Sequence, residues 1–269
     1  MMAAPLRIMF LGNRRIAWEA LKLLLSDRYR SRFDIRALVS DASIWNAYQL
    51  REPLNSTCFI SSDRRQSEKI HETIRKERID VLISIQYNWI IPGNILDLVN
   101  RRAFNLHNAR LPDYKGYHSI THAIANQDTS YDTTIHWMAD AVDSGDIAYI
   151  EKTPIRSDDT AQSLYLRTVD AAMLAVEHLL DDLSSGAALP KRPMSEGAGA
   201  FYAQSSVASL ADVTGLVNAD QLAKIARATY FPPNNTAHFF HAGRKYIIVP
   251  ASGFEKMAFV GKLVNEPQF

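Results

Sequence analysis

Cysteine is almost missing from this chain: Cys58 is the single one, which excludes an internal disulfide framework and any cysteine-built zinc module and fits a reducing compartment. Long hydrophobic runs are missing too. No stretch reaches the about 18 apolar residues that would span a bilayer, and Met1 to Phe10 lacks the basic-then-apolar order of a leader. The expectation is a cytoplasmic protein with no membrane partner. Charge of one sign is also lacking, since 30 Lys and Arg against 29 Asp and Glu leave a formal +1. That excludes the broad basic field of a protein built mainly to hold nucleic acid, so anionic ligands must be held locally. Glycine is sparse where a dinucleotide would need it. The first strand-to-helix turn offers only Gly12, followed by Asn13, Arg14 and Arg15, which disfavours a nicotinamide or flavin cofactor and leaves Gly12 as turn chemistry.

The 269 residues, 47% of them hydrophobic, suffice for one large domain plus a small one. Leu6 to Leu11 is a short apolar run, and Arg15 to Ser26 repeats apolar residues at helical spacing through Ile16, Ala20, Leu21, Leu23 and Leu24. The alternation recurs as a strand at 35–39, a polar helix at 68–76, a strand at 81–85, a short helix at 95–99 and a strand at 103–107. Such order predicts parallel βαβ units in an open, doubly wound sheet, whose ligands settle beyond the carboxyl ends of the strands. Extended segments follow at 133–139 and 147–155, joined by the turn Asp143, Ser144, Gly145, Asp146. A long helix should start near Asp159 or Thr160 and stop at Ser184, Ser185 and Gly186. The fold class is therefore α/β, a Rossmann-like parallel-sheet core over 1–183. A Pro- and Gly-rich linker at 184–200 leads to a small α+β unit at 201–269. In that unit a helix is expected at 219–228, a turn at Phe231 to Asn235 and a hairpin from 237–241 and 245–249 around Ala242 and Gly243.

Asn105 and His107 stand two apart in a strand, so their side chains leave the same face while Phe104 and Leu106 turn to the other. A histidine at a strand end is more often satisfied by a backbone carbonyl than catalytic. Here, however, the polar loop Asn108 to Gly116 follows it at once. Asp140, Asp143 and Asp146 read first as surface turn chemistry, although a carboxylate placed by a tight turn can orient an imidazole. His118 and His122, at i and i+4, would share one helix face. With no glutamate between them and no third ligand placed by spacing, a helix-surface or substrate-contact role outweighs a metal site, and no metal is expected.

The stretch Phe104, Asn105, Leu106, His107, then Leu111, Pro112, Asp113, Tyr114, Lys115, Gly116, with Asp143, Ser144, Gly145, Asp146 further on, resembles the signature of the folate-dependent formyltransferases. It covers about residues 5 to 183. Where many members carry Ser-Leu or Ser-Phe before Leu-Pro, this chain carries Ala109 and Arg110. The resemblance implies Asn105, His107 and Asp143 as the catalytic set and 10-formyltetrahydrofolate as formyl donor and co-substrate. It also implies that Gln86, Tyr87, Asn88, Trp89 and Ile90 receive the pterin. The C-terminal run Ile225 to Pro233 is similar to the small terminal unit of sugar N-formyltransferases. That likeness implies, as acceptor, a nucleotide-linked 4-amino-4,6-dideoxy sugar, GDP- or dTDP-linked, with GDP-perosamine the first choice, in O-antigen and lipopolysaccharide biosynthesis. Arg110, Lys115, His118 and Tyr202 are the candidate acceptor contacts, and the terminal hairpin could close a homodimer. The alternatives are another amine acceptor such as initiator methionyl-tRNA, or a non-catalytic sugar-nucleotide binding protein. A tRNA enzyme would be expected to carry a larger, more basic C-terminal barrel.

Overall fold

Strands that are apolar on both faces, such as Val81 to Ile85, can be satisfied only inside a sheet covered by helices. The computed structural model describes residues 4–42, 56–194, 199–233 and 236–251, and shows such a sheet. The expected turn residues Asn234 and Asn235, Gly197 of the expected linker, and 252–269 lie outside the described residues. The chain divides into two compact units, one from 1–115, 132–151 and 169–200, the other from 116–131, 152–168 and 201–269.

In the first unit β1 (Leu6–Gly12), β2 (Phe33–Ser40), β3 (Cys58–Ser61), β4 (Val81–Ile85) and β5 (Ala103–His107) run parallel in the order β3-β2-β1-β4-β5. The direction of winding reverses between β1 and β4, the position where an open α/β sheet forms its ligand crevice. Helices α1 (Arg14–Leu24), α2 (Ser67–Glu77) and α3 (Gly93–Asp97) connect them. Helix α1 buries Ile16, Ala17, Ala20, Leu21 and Leu24, the side its i, i+3, i+4 pattern makes apolar. On one side the core holds Met9, Leu11, Val39, Ile60, Leu82, Ile95, Leu96 and Ala103. At the amino end Arg7 donates from Nε and Nη2 to the Asp80 carboxylate at 2.9 and 2.7 Å, linking the starts of β1 and β4. That hydrogen-bonded guanidinium holds the Asp80 carboxyl below its usual range.

The sheet is not wholly parallel. A three-residue strand, β6 (Tyr114–Gly116), follows the loop after β5, and then β7 (Ser130–Trp137) pairs antiparallel with β5, with β8 (Ile147–Pro154) beyond it. The two segments expected to be extended, 133–139 and 147–155, thus widen the parallel core, the first of them entering antiparallel. The antiparallel choice places Phe104 opposite Trp137, ring centroids 4.5 Å apart, with Phe104 buried against the half-buried indole. Helix α5 (Ala161–Ser185), which follows α4 (Ser119–Ala125), contributes residues to both units. Its start confirms the expected cap: Thr160 and Ser163 exchange hydrogen bonds, Thr160 N–H donating to Ser163 Oγ and Ser163 N–H to Thr160 Oγ1. Gly12 is required for a reason other than turn chemistry. Its φ lies outside the left-handed region, but a Cβ there would stand 2.6 Å from Ala17 Cβ and 2.9 Å from Ile85 O, so α1 crosses too close for any side chain.

In the second unit α6 (Ser206–Ala211), which sequence patterning missed, and α7 (Ala219–Thr229) follow β9 (Ala200–Tyr202). Val213, Ile225, Ala226 and Ala237 form their own small core, and β10 (His238–His241) pairs antiparallel with β11 (Arg244–Ile247) as the expected hairpin. Against α4, the His122 ring stacks on Tyr202 at 3.8 Å, and its Nε2 shares a 2.9 Å hydrogen bond with Ser206 Oγ.

Two outcomes follow for stability. Gly12→Ala should lower the unfolding free energy by about 1–3 kcal/mol through overpacking, read as a lower urea midpoint with unchanged slope; an unchanged midpoint would contradict the close crossing. Burial, with repulsion from His118 second, pushes the His122 imidazole down to about 4, whereas in the unfolded chain it titrates near ~6.5. The unfolded state therefore binds more protons across that interval, and the contribution of neutral His122 is present above it and lost as pH falls through it. Thermal melts taken over this pH range should show Tm falling on acidification, with a shallower fall in His122→Gln.

Candidate active site

At the carboxyl end of β5 the alternation of the strand sends Phe104 and Leu106 into buried positions and leaves Asn105 and His107 half-buried on the other face. The polar loop after His107 folds back, and the Tyr114 carbonyl lies 2.7 Å from His107 Nε2. A carbonyl only accepts, so Nε2 carries a hydrogen and donates it. The other ring nitrogen, Nδ1, faces Asp143 Oδ2 at 3.6 Å. The histidine thus has both the backbone partner a strand-end histidine usually finds and a carboxylate on its second nitrogen. A proton on Nδ1 would complete an ion pair with Asp143, and 3.6 Å is within ion-pair reach but longer than a hydrogen bond.

Asp143 reaches this position because the chain after β7 turns tightly. Its own φ is 49°, in the left-handed region that Asp tolerates better than most residues. Gly145 passes so near β7 that a Cβ there would collide with the Trp137 carbonyl oxygen. Asp143 ends with only 9% of its side chain exposed, so the surface-turn reading of this aspartate gives way to a buried carboxylate. Asp140, by contrast, stays largely exposed and pairs with Arg101 at 3.1 Å.

The site holds one residue that sequence reasoning passed over. His136 on β7 stands opposite Asn105 in the β5–β7 register, 2% exposed. Its Nδ1 lies 2.8 Å from Trp137 O and therefore donates, which leaves Nε2 of the neutral ring as an acceptor for Asn105 Nδ2 at 3.0 Å. The same Nε2 is 3.6 Å from Asp143 Oδ1, so the carboxylate lies between two imidazoles. On its other side Asn105 Oδ1 accepts from Ser84 Oγ at 2.9 Å. Only the antiparallel register connects Asn105 with a residue 31 positions later; a histidine between Ile135 and Trp137 in a segment expected to be extended was the available signal.

Of the other candidates, Gln86 to Ile90 leave β4 at the crevice, with Gln86 at φ 54° turning the chain. Trp89 is 39% and Ile90 61% exposed, while Trp89 Nε1 donates to Ser62 O at 2.9 Å. The Tyr87 hydroxyl is buried with no hydrogen-bond partner among the described residues, and burial pushes it up to about 12. Arg110 lies 2.8 Å from Asp113 with its guanidinium over the Tyr114 ring, so its charge is engaged locally. Lys115 is half-buried in β6. His118, at φ 58°, is the residue that precedes α4, and its Nε2 donates to Gln204 O at 3.1 Å. Among the described residues no group of three or more His, Cys, Asp or Glu is arranged to hold a metal. Tyr202 is stacked on His122.

Comparison with known proteins agrees on the fold. Over 112 residues the chain is 39% identical to a methionyl-tRNA formyltransferase of Acidithiobacillus ferrooxidans, a match spanning 42% of this chain and 36% of that enzyme. A sugar N-formyltransferase from Shewanella superposes with a TM-score of 0.71 at 21% identity, covering 91% of this chain and 96% of the other. An N-formyltransferase from Helicobacter canadensis, solved with folinic acid and dTDP-3-aminofucose, gives 0.65 at 16% identity over 84% and 81%. At such identities these structures speak for the fold alone. Residues 30–178, more than half of the chain, match the formyl transferase family, and the chain belongs to that family.

Proposed function

We propose that this protein transfers a formyl group from 10-formyltetrahydrofolate to the amino group of a nucleotide-linked amino sugar. The carrying observation is the grouping of Asn105, His107 and Asp143 at the carboxyl end of the sheet, with Asp143 3.6 Å from His107. The reduced folate supplies the formyl group. The segment 86–90 fits such a ligand, because exposed Trp89 and Ile90 offer apolar contact beside irregular backbone at the crevice. When an amine adds to the formyl carbon its oxygen gains negative charge. The Asn105 amide N–H and, when His107 is charged, its Nδ1–H are the donors for that oxygen, since His107 Nε2–H is held by the Tyr114 carbonyl. Asp143 holds the imidazolium of His107 and takes part in moving the proton from the amine nitrogen, which becomes an ammonium as it adds, towards the departing folate nitrogen. The folate nitrogen then leaves with a proton, so no covalent enzyme intermediate is needed.

A 4-amino-4,6-dideoxy sugar on GDP, GDP-perosamine first, is the acceptor of this reading, in surface polysaccharide synthesis within the cytoplasm. Its support is the fold shared with sugar N-formyltransferases along most of the chain. In this reading 1–183 carries the chemistry, 184–200 is a linker and 201–269 contributes to acceptor binding. Arg110, Lys115, His118 and Tyr202 are acceptor contacts, and the hairpin with exposed Phe240, Tyr246 and Ile247 supports a homodimer. A second reading, formylation of methionyl-tRNA, is favoured by the 39% identity to such an enzyme. The near-neutral charge of the chain disfavours it.

A mass-spectrometric screen of GDP- and dTDP-linked 3- and 4-amino sugars, and of methionyl-tRNA, with 10-formyltetrahydrofolate should yield the mass gain of one formyl group on a sugar nucleotide. Product on tRNA alone would select the second reading, and tight sugar-nucleotide binding with no turnover would select a binding protein. Asn105→Ala, His107→Ala and Asp143→Ala should each lower kcat by about 100- to 1,000-fold with melting temperatures near that of the parent. A folded His107→Ala variant with near-parental kcat would refute the assignment.

A further inference from the structure

Ser84, Asn105 and His136 occupy one row across three neighbouring strands: Ser84 is the register partner of Asn105 between β4 and β5, and His136 its partner between β5 and β7. Side chains directly opposite one another on a sheet face meet, and these three form a directed chain of hydrogen bonds. Ser84 Oγ–H donates to Asn105 Oδ1 at 2.9 Å, Asn105 Nδ2–H donates to His136 Nε2 at 3.0 Å, and His136 Nδ1–H donates to Trp137 O at 2.8 Å. Further along the same row β1 contributes Leu11, and one step towards the amino ends stand Leu82 and Ala103, all within the hydrophobic core. Ser84, 4% exposed, is therefore a hydroxyl set where the apolar face of the sheet ends, and Asn105 is its hydrogen-bond partner.

We propose that Ser84 is a positioning residue: its hydroxyl fixes the plane of the Asn105 carboxamide, so that the N–H not taken by His136 is held towards the reacting carbonyl. This rests on the formyl-transfer reading. His136 alone settles which end of the amide faces β7, because its Nε2 needs a hydrogen. One hydrogen bond still leaves the carboxamide free to tilt about its Cβ–Cγ bond, a broad torsion with no sharp wells of its own. The second bond, at the opposite end of the group, removes that freedom. Donation to Oδ1 also draws electron density from the amide and strengthens its remaining N–H as a donor. Because the charge on the formyl oxygen develops only during reaction, the loss of this hold should appear in turnover and not in substrate binding.

The test combines steady-state kinetics with 15N NMR of the Asn105 side-chain amide in the full-length protein. Ser84→Ala removes one oxygen from a buried site and should lower kcat about tenfold, the size of one hydrogen bond, while both KM values stay within about twofold. Ser84→Thr, which keeps the hydroxyl, should restore most of kcat. In Ser84→Ala the Asn105 side-chain amide hydrogens should exchange about tenfold faster with solvent, the same factor read as lost protection. A kcat within about twofold of the parent, a loss confined to KM, or unchanged Asn105 amide exchange would each overturn the proposal. The exchange measurement needs no turnover. A parent protein that formylates no offered amine would therefore refute formyl transfer, while exchange would still report separately whether Ser84 holds Asn105.

Discussion

The close passage of Gly145 beside the Trp137 carbonyl is the contact on which the site depends. Only a residue without a side chain lets the backbone through at that point. Because it does, the turn after β7 folds back over the end of the sheet and Asp143 descends between His107 and His136. The same carbonyl accepts from His136 Nδ1 and so decides the tautomer of that ring. One peptide group thus sets both the place of the carboxylate and the hydrogen-bonding sense of the histidine beside it. Of the two imidazoles beside this buried carboxylate, His107 is the one whose facing nitrogen can carry a proton, and a charged His107 offsets part of the cost of the burial.

Polar groups are arranged here in a graded way. Towards the amino ends of the strands the sheet faces are apolar and buried, and the linking ion pair Arg7–Asp80 lies at the margin. Towards the carboxyl ends the same rows become Ser84, Asn105 and His136, then His107 opposite Thr134. Every member of the first of these rows has a partner within 3.0 Å. Each buried polar atom that finds a partner avoids a desolvation cost of about 1–3 kcal/mol, and a satisfied row is rigid. Rigidity is what a pair of oxyanion donors requires, since a misplaced donor does little for charge that appears only at the transition state.

The second unit follows a different logic. Its core is small, resting on Val213, Ile225, Ala226 and Ala237, and its hairpin exposes every residue of β11. A two-stranded hairpin needs a surface to pack on, and here Phe239 stacked on Tyr246 and the contact of Phe239 and Ile248 with that small core supply part of it. Modest cores of this kind belong to regions that open at lower free energy than a central sheet.

Much of the architecture was legible in residue patterns, because it rests on local preferences. The period-two and 3.6-residue alternation located β1, β4, β5, α1, α5 and the terminal hairpin close to where they lie. The two-residue spacing of Asn105 and His107 was enough to put both on one strand face. Three things lay beyond local pattern. Strand direction was one: the residues of 130–137 mark an extended segment and carry nothing about the direction in which it enters the sheet, which is set by its pairing with β5. His136 was another, since its role comes from a register with Asn105 that only long-range pairing creates. The last was the reason for the glycines. Gly12 and Gly145 looked like turn residues, yet each is dictated by a neighbour that comes within van der Waals distance only in the folded chain. The sequence by itself determined which segments are strands and helices and which strand face carries Asn105 and His107. Tertiary structure alone decided how those faces meet, because hydrogen-bond register and steric approach between distant segments have no counterpart in local spacing.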